Sequence, residues 1–204
     1  ESVGLGVVAL EIESLAIGRA MITATKLYEG EARAILDISA TQSIFFIYDN
    51  ESIQFSTVLP YCGNQVTEEL MKDLGVTHAE AIKLKHALGL RHDKKHEKAW
   101  KSMMGSTEEL SEHILKTIDF YYSHFPQANK VTQVTMSGGG ALLDQLPEVL
   151  AEKISLPILA GLVWKNLSTS KKHSISRRDG LRYSTAVGLA LRAADNPFFT
   201  RDSI

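Results

Sequence analysis

A chain of 204 residues is long enough for one domain with a sizeable core, or for two small lobes that share one. Hydrophobic residues at 44% and charged residues at 23% exclude wholesale disorder, and a net charge of -2 leaves no electrostatic footprint for nucleic acid. The one cysteine, Cys62, cannot form an internal disulfide and fits a reducing cytoplasm. No apolar run approaches the roughly 20 residues that a spanning helix needs. The chain opens on Glu1 rather than Met, with no basic-apolar leader before Val7, and reads as a piece of something longer.

Val7-Val8-Ala9-Leu10-Glu11-Ile12 is rich in β formers and predicts a strand. Ser14 is a good N-cap for a helix over Leu15–Thr25. Strand-like runs at Arg33–Ser39, Ser43–Tyr48 and Ile53–Leu59 are separated by turn chemistry at Ala40-Thr41-Gln42 and Asp49-Asn50-Glu51, which predicts an antiparallel meander. Val66, Leu70 and Leu74 then take helical spacing, with Gly75 as C′ residue. Thr77-His78-Ala79-Glu80 has the capping-box pattern, and its helix stops near Gly89. A long helix is expected from about Thr107, with Leu110, Ile114, Ile118, Tyr121 and Phe125 on one stripe and Pro126 as its stop. Val131–Met136 predicts a strand running into Ser137-Gly138-Gly139-Gly140, followed by a helix with Pro147 and Glu148 in its first turn. Pro157–Trp164 predicts another strand, Ser168–Asp179 a polar mobile loop, and Tyr183–Ala194 a closing helix of small residues. The order β-β-β, helical insertion, β-α-β-α argues an α/β fold with a mixed sheet and a helical second lobe.

Three segments have the residue types for ligand chemistry. In Ser137-Gly138-Gly139-Gly140, glycines permit positive φ and close backbone approach, and the next helix offers free N–H groups. A tight strand-to-helix turn explains the same residues, and both readings stay open. Asp37, with Ser39, Thr41 and Ser43 after it, suits a hydrated Mg²⁺ and phosphate oxygens; spacing alone favours an Asx-type turn. Glu80 and Lys83 share a helix face, though Glu80 also completes the capping box and Lys83 also reads as a solvated charge. His86, His92 and His96 lie among lysines and read as a solvated face rather than a metal site. Trp100, Met103 and Met104 read as a packed helix face rather than a partner patch.

Taken in order, the segments resemble the actin-like ATPases. Leu36-Asp37-Ile38-Ser39-Ala40-Thr41-Gln42-Ser43 resembles their second phosphate loop, and Thr135–Leu143 resembles their adenosine loop. Ala79-Glu80-Ala81-Ile82-Lys83 is similar to the helix that sets a Glu and a Lys against the ribose. Ala186-Val187-Gly188-Leu189-Ala190-Leu191 is similar to the closing helix. Gly63–Leu70, Leu74-Gly75-Val76 and the opening Val7–Ala16 stretch are similar to the pilus branch, the type IV pilus assembly protein PilM family.

The resemblance implies an actin-like, ribonuclease-H-like mixed sheet with a helical insert subdomain. Residues 1–26 would end a first lobe, 27–60 and 127–180 would form the second-lobe core, 61–126 the insert, and 181–204 a closing helix and tail. It implies ATP with Mg²⁺ at Asp37, in a site of Asp37, Ser39, Thr41, Glu80, Lys83, Ser137, Gly138, Gly139 and Gly140. The implied role is a cytoplasmic scaffold with little or no ATPase turnover. It would sit beneath the inner membrane, hold the cytoplasmic tail of a bitopic PilN-like partner, insert into no membrane and leave room for self-association. An active, polymerising ATPase of cell-division type is the alternative, and a sugar or acetate kinase of the same superfamily a distant third. Two departures bear on the site. Ser39 stands where the loop usually has glycine, so a Cβ is expected to hinder positive φ or phosphate approach. The family's first phosphate loop has no counterpart in these residues.

Overall fold

The structure, a computed structural model, describes residues 4, 6, 7, 9–167 and 175–194. Its strands are β1 (Glu31–Ile38), β2 (Ser43–Asp49), β3 (Ser52–Leu59), β4 (Lys130–Ser137) and β5 (Ile158–Ala160). Its α-helices are α1 (Glu13–Met21), α2 (Gly63–Leu74), α3 (His78–Leu88), α4 (Glu97–His124), α5 (Leu146–Ile154), α6 (Arg177–Gly180) and α7 (Ser184–Ala194).

The strands form one sheet in the order β3-β2-β1-β4-β5. The expected meander is present: β1 pairs antiparallel with β2, and β2 with β3. Then β4 returns parallel to β1, and β5 parallel to β4, so the sheet is mixed. In β1 and β2, Ile35, Leu36, Phe45, Phe46 and Ile47 are all buried although successive side chains face opposite sides. A near-continuous apolar run is what a strand covered on both faces requires. On one face α1 lies over Phe46 and Ile53 at Gly18, where an added Cβ would come 3.2 Å from the Ile53 side chain. On the other, the end of α4 stacks Phe120 on Phe55 of the edge strand, with ring centres 5.2 Å apart.

The insertion between β3 and β4 is helical, as expected. Helix α2 ends on Gly75 at φ 68, whose N–H closes back onto Met71. Helix α3 carries both halves of its capping box. Ser106 donates to Glu69 and ties α2 to α4.

Five expectations need correction. Gly6, Val7 and Ala9–Ile12 are not in a strand; Val7 and Leu10 are 75% and 87% exposed, and a strand needs a partner that these residues lack among those described. Helix α1 starts at Glu13, with Ile12 at the cap and no side-chain cap bond, so Ser14 lies buried inside the helix instead of capping it. Helix α4 begins ten residues before Thr107, because Ala99 and Met103 extend the stripe of Leu110 and Ile114. Trp100 is held there by donating to the Leu90 carbonyl at 3.0 Å. The last strand covers only Ile158–Ala160, and the chain turns at 163–166. Of the expected Ser168–Asp179 loop, residues 168–174 lie outside those described, while Ser176 caps α6 by accepting from the Asp179 N–H.

Candidate functional site

The parallel pairing of β1 with β4 sets Asp37 directly across from Ser137, so two of the expected loops start side by side at one end of the sheet. Gly138, at φ 80, turns the chain out of β4 and donates its N–H to Leu181. A side chain there would be strained by that backbone and would meet the Ile38 carbonyl oxygen at 2.3 Å. Gly140 passes equally close, its absent Cβ 2.1 Å from Ile38 Cγ2. Gly139 differs: its nearest neighbour would be the Arg182 guanidinium at 3.6 Å, so it faces open space. The expected helix after the glycines starts later, with a single 3-10 turn over Gly139–Leu142 in between.

The β1–β2 turn is closed by its own serine. Ser39 Oγ donates to the Gln42 carbonyl at 2.9 Å and accepts from the N–H groups of Thr41 and Gln42. Left-handed backbone occurs among non-glycine residues at Asn50, Glu51, Gln145 and Ser155, not at Ser39. Serine therefore fits this turn without the strain expected of it. The turn is also tied to α2, whose Gly63 and Asn64 N–H groups donate to the Ser39 and Ala40 carbonyls.

A cavity of about 160 Å³ opens between these two loops. Ile38, Tyr61, Val66 and Leu143 supply its apolar surface, while Ser39, Ala40, Gly63 and Asn64 line it from the turn and α2. Gly139, Gly140, Lys85, His86 and Arg182 complete it, and none of the described lining residues is acidic. Lys85 is anchored by donating to the Gly63 carbonyl at 2.6 Å and to Thr67 Oγ1 at 2.7 Å. Burial lowers its ammonium pKa, and the nearby Cys62 opposes that. His86 is also lowered, by burial first and then by Lys85 and Arg182.

Asp37, one residue before the lining Ile38, is 6% exposed. Burial raises its carboxyl above the ordinary range; the Ser137 hydroxyl beside it pulls the other way, and the charge of Glu13 adds to the rise. Ser137 donates to Ser184 at 2.6 Å, which fastens β4 to the first turn of α7. Among the described residues there is no group of three or more His, Cys, Asp or Glu side chains that could hold a metal by themselves.

Of the nine residues singled out in the sequence, Ser39, Gly139 and Gly140 line the cavity, whereas Asp37, Ser137 and Gly138 precede the lining residues in the chain and do not line it. Thr41 is exposed on the turn and does not line it. Glu80 and Lys83 do not line it either. The Glu80 carboxylate accepts from the Thr77 N–H at 2.9 Å and the Thr77 hydroxyl at 2.7 Å, and Lys83 is exposed one turn before His86. Sequence reasoning missed Lys85, His86 and Arg182 as lining residues. Lys85 and His86 follow Lys83 on the helix already singled out, whereas nothing local marks Arg182.

A model of the family described as type IV pilus assembly protein PilM matches residues 1–194. Among solved structures, the chain is similar to the PilM-PilN type IV pilus biogenesis complex, at 19% identity and a TM-score of 0.79, over 95% of this chain and 55% of that one. It is also similar to MreB5 of Spiroplasma citri bound to ADP, at 12% identity and a TM-score of 0.68, over 95% of this chain and 62% of that one. The ethanolamine utilization protein EutJ of Carboxydothermus hydrogenoformans matches at 16% identity and a TM-score of 0.59, over 88% of this chain and 53% of that one. The chain thus spans about half the length of these proteins, and what it shares with them is the actin-like α/β fold. With a mixed sheet, a glycine junction beside a strand-end aspartate and a family match over nearly its whole length, the chain belongs to the type IV pilus assembly protein PilM family.

Proposed function

We propose that this chain is the larger part of a cytoplasmic actin-like scaffold for pilus assembly, and that its cavity holds ATP as a structural ligand. The observation that carries this reading is the cavity between the Ser39 turn and the Gly139–Gly140 backbone, lined by cations and by no acid. Gly139 leaves room for close approach to a ligand, the third N–H of the Lys85 ammonium can reach a phosphate oxygen, and Ile38, Val66 and Leu143 suit an apolar base face. Asp37 fits Mg²⁺ as the single carboxylate of a mostly water- and phosphate-coordinated ion. Burial raises its pKa, and a bound cation would lower it.

ATP in this reading orders two lobes rather than driving steady turnover. Residues 1–26 and 181–204 belong to the first lobe, and 61–126 form an insert beside the cleft. The membrane is reached through the tail of a bitopic PilN-like partner; among the described residues no helix is long and apolar enough to cross a bilayer. Isothermal calorimetry with Mg·ATP tests the site, beside Asp37→Asn and Gly139→Val. Binding by the parent chain and loss in both variants is the expected result. Equal binding by Gly139→Val would overturn the cavity as the site. Steady phosphate release well above background would overturn the scaffold role in favour of a working ATPase.

A further inference from the structure

We propose that His86 and Arg182 form a second anion subsite at the outer end of the cavity, so that the site favours a nucleoside phosphorylated at both ends. The proposal rests on the nucleotide reading above and adds to it a second end that takes a phosphoryl group. The cavity has two distinct ends. At the inner end Lys85 Nζ lies against Gly63, whose absent Cβ would touch Ala40 Cα and the Ser39 carbonyl oxygen at 3.5 Å. At the outer end Arg182 lies 3.6 Å from the Cβ position of Gly139, and His86, Leu143 and Arg182 also border a second opening with Asp144, Arg178 and Asp179. Between the ends lie the apolar side chains of Ile38, Val66 and Leu143.

The charges that face His86 can be paired off element by element. On its own helix it has Lys85. From the segment before α5 comes Asp144, already bound to Arg91 at 2.9 Å. From α6 come Asp179, which accepts from the Ser176 hydroxyl at 2.7 Å, and Arg178, which donates to the Leu142 carbonyl at 3.0 Å. From the turn before α7 comes Arg182. Neither His86 nor Arg182 makes a hydrogen bond or ion pair with any described residue. Lys85 at the inner end and Arg182 at the outer end, with His86 beside it, therefore reach a cavity with no acid among its own lining residues, an arrangement that an anion satisfies. Arginine's planar fork suits the two oxygens of a phosphoryl group. Ribose hydroxyls find no carboxylate acceptor here, since Glu80 is engaged by Thr77.

An anion at this end also reverses the field on His86. Burial, Lys85 and Arg182 lower the imidazole pKa in the free protein, and a phosphoryl group beside it acts the other way and favours the imidazolium. Binding then takes up a proton and tightens as pH falls.

The test is calorimetric titration of the chain with adenosine 3′,5′-bisphosphate, 5′-AMP, Mg·ATP and inorganic phosphate, in two buffers of different ionisation enthalpy. The bisphosphate is expected to bind about tenfold or more tightly than 5′-AMP, with proton uptake that 5′-AMP lacks. Arg182→Gln should bring the two affinities together, and His86→Gln should remove the uptake. Equal affinities in the parent chain, a preference that survives Arg182→Gln, or inorganic phosphate binding as tightly as the bisphosphate would each overturn the subsite. Binding of Mg·ATP alongside such a result leaves the nucleotide reading standing; failure of every nucleotide to bind overturns both.

Discussion

Asp37 and Asp49 close adjacent antiparallel strands, so they are buried at opposite ends of the same sheet. At the far end Asp49 accepts from the Tyr121 hydroxyl, from the Asn129 N–H and amide at 2.9 Å each, and from the Asn50 N–H at 2.8 Å. Burial alone would raise its carboxyl, but these donors outweigh that and hold it below the usual range. At the cleft end Asp37 has only the Ser137 hydroxyl to offset its burial, and its carboxyl is raised. The difference separates a carboxylate held by four donors from one that burial leaves with little compensation.

The largest effect expected is at the satisfied end. Asp49→Ala strands Tyr121 and Asn129 without their acceptor and should cost about 3 kcal/mol or more in urea unfolding. Because its folded pKa lies below the unfolded one, the Asp49 contribution is present above roughly pH 4 and is lost as pH falls through the folded value. A comparable loss, about 3 kcal/mol, is expected for Gly140→Val, which drives a side chain into Ile38; Gly139→Val should lose under about 1 kcal/mol yet block the cavity.

Asp37→Asn tests the other end, with the opposite sign. A carboxyl whose folded pKa is raised weakens the fold as pH rises through the gap between its unfolded and folded values. The amide variant should therefore be more stable at neutral pH, an advantage that shrinks on acidification, while Mg²⁺-dependent nucleotide binding is lost. A destabilised Asp37→Asn would break the comparison. The smallest effect belongs to the wall of the cleft. Thr77→Ala removes the cap of α3 and should cost about 1 kcal/mol by thermal unfolding, with little change in nucleotide affinity. A marked loss of affinity would return Glu80 to the site.

Most of the sheet was legible because its signals are local. The turns at Ala40-Thr41-Gln42 and Asp49-Asn50-Glu51 bracket apolar runs of strand length, and register follows once one face is buried. The capping box at Thr77 and the Gly75 stop are equally local. The apolar run Val7–Ile12 misled because composition reports a preference for extended structure, not the presence of a partner strand. In the site, Gly138 and Gly140 were legible as glycines but not in their reasons, which lie in a strand a hundred residues away. Glu80 could bond either Thr77 or a ligand, and only three-dimensional placement decides which. Arg182 reaches the cavity through the docking of the turn before α7 onto β4, which no spacing encodes.

The crossing of α1 and α7 has its own consequence. A Cβ at Gly188 would lie 1.8 Å from the Ala16 carbonyl oxygen, and Arg19 donates to the Gly188 carbonyl across 169 residues of sequence. Such a seam closes a very large loop, and by loop-closure entropy it gains least from being made before the sheet exists. It also holds Glu13 and Ala194, on helices far apart in the chain, within one packed pair. A permuted chain that joins these two helices by a short linker and opens instead at the exposed Asn50-Glu51 hairpin would keep every strand pairing while turning the longest-range contact into a local one.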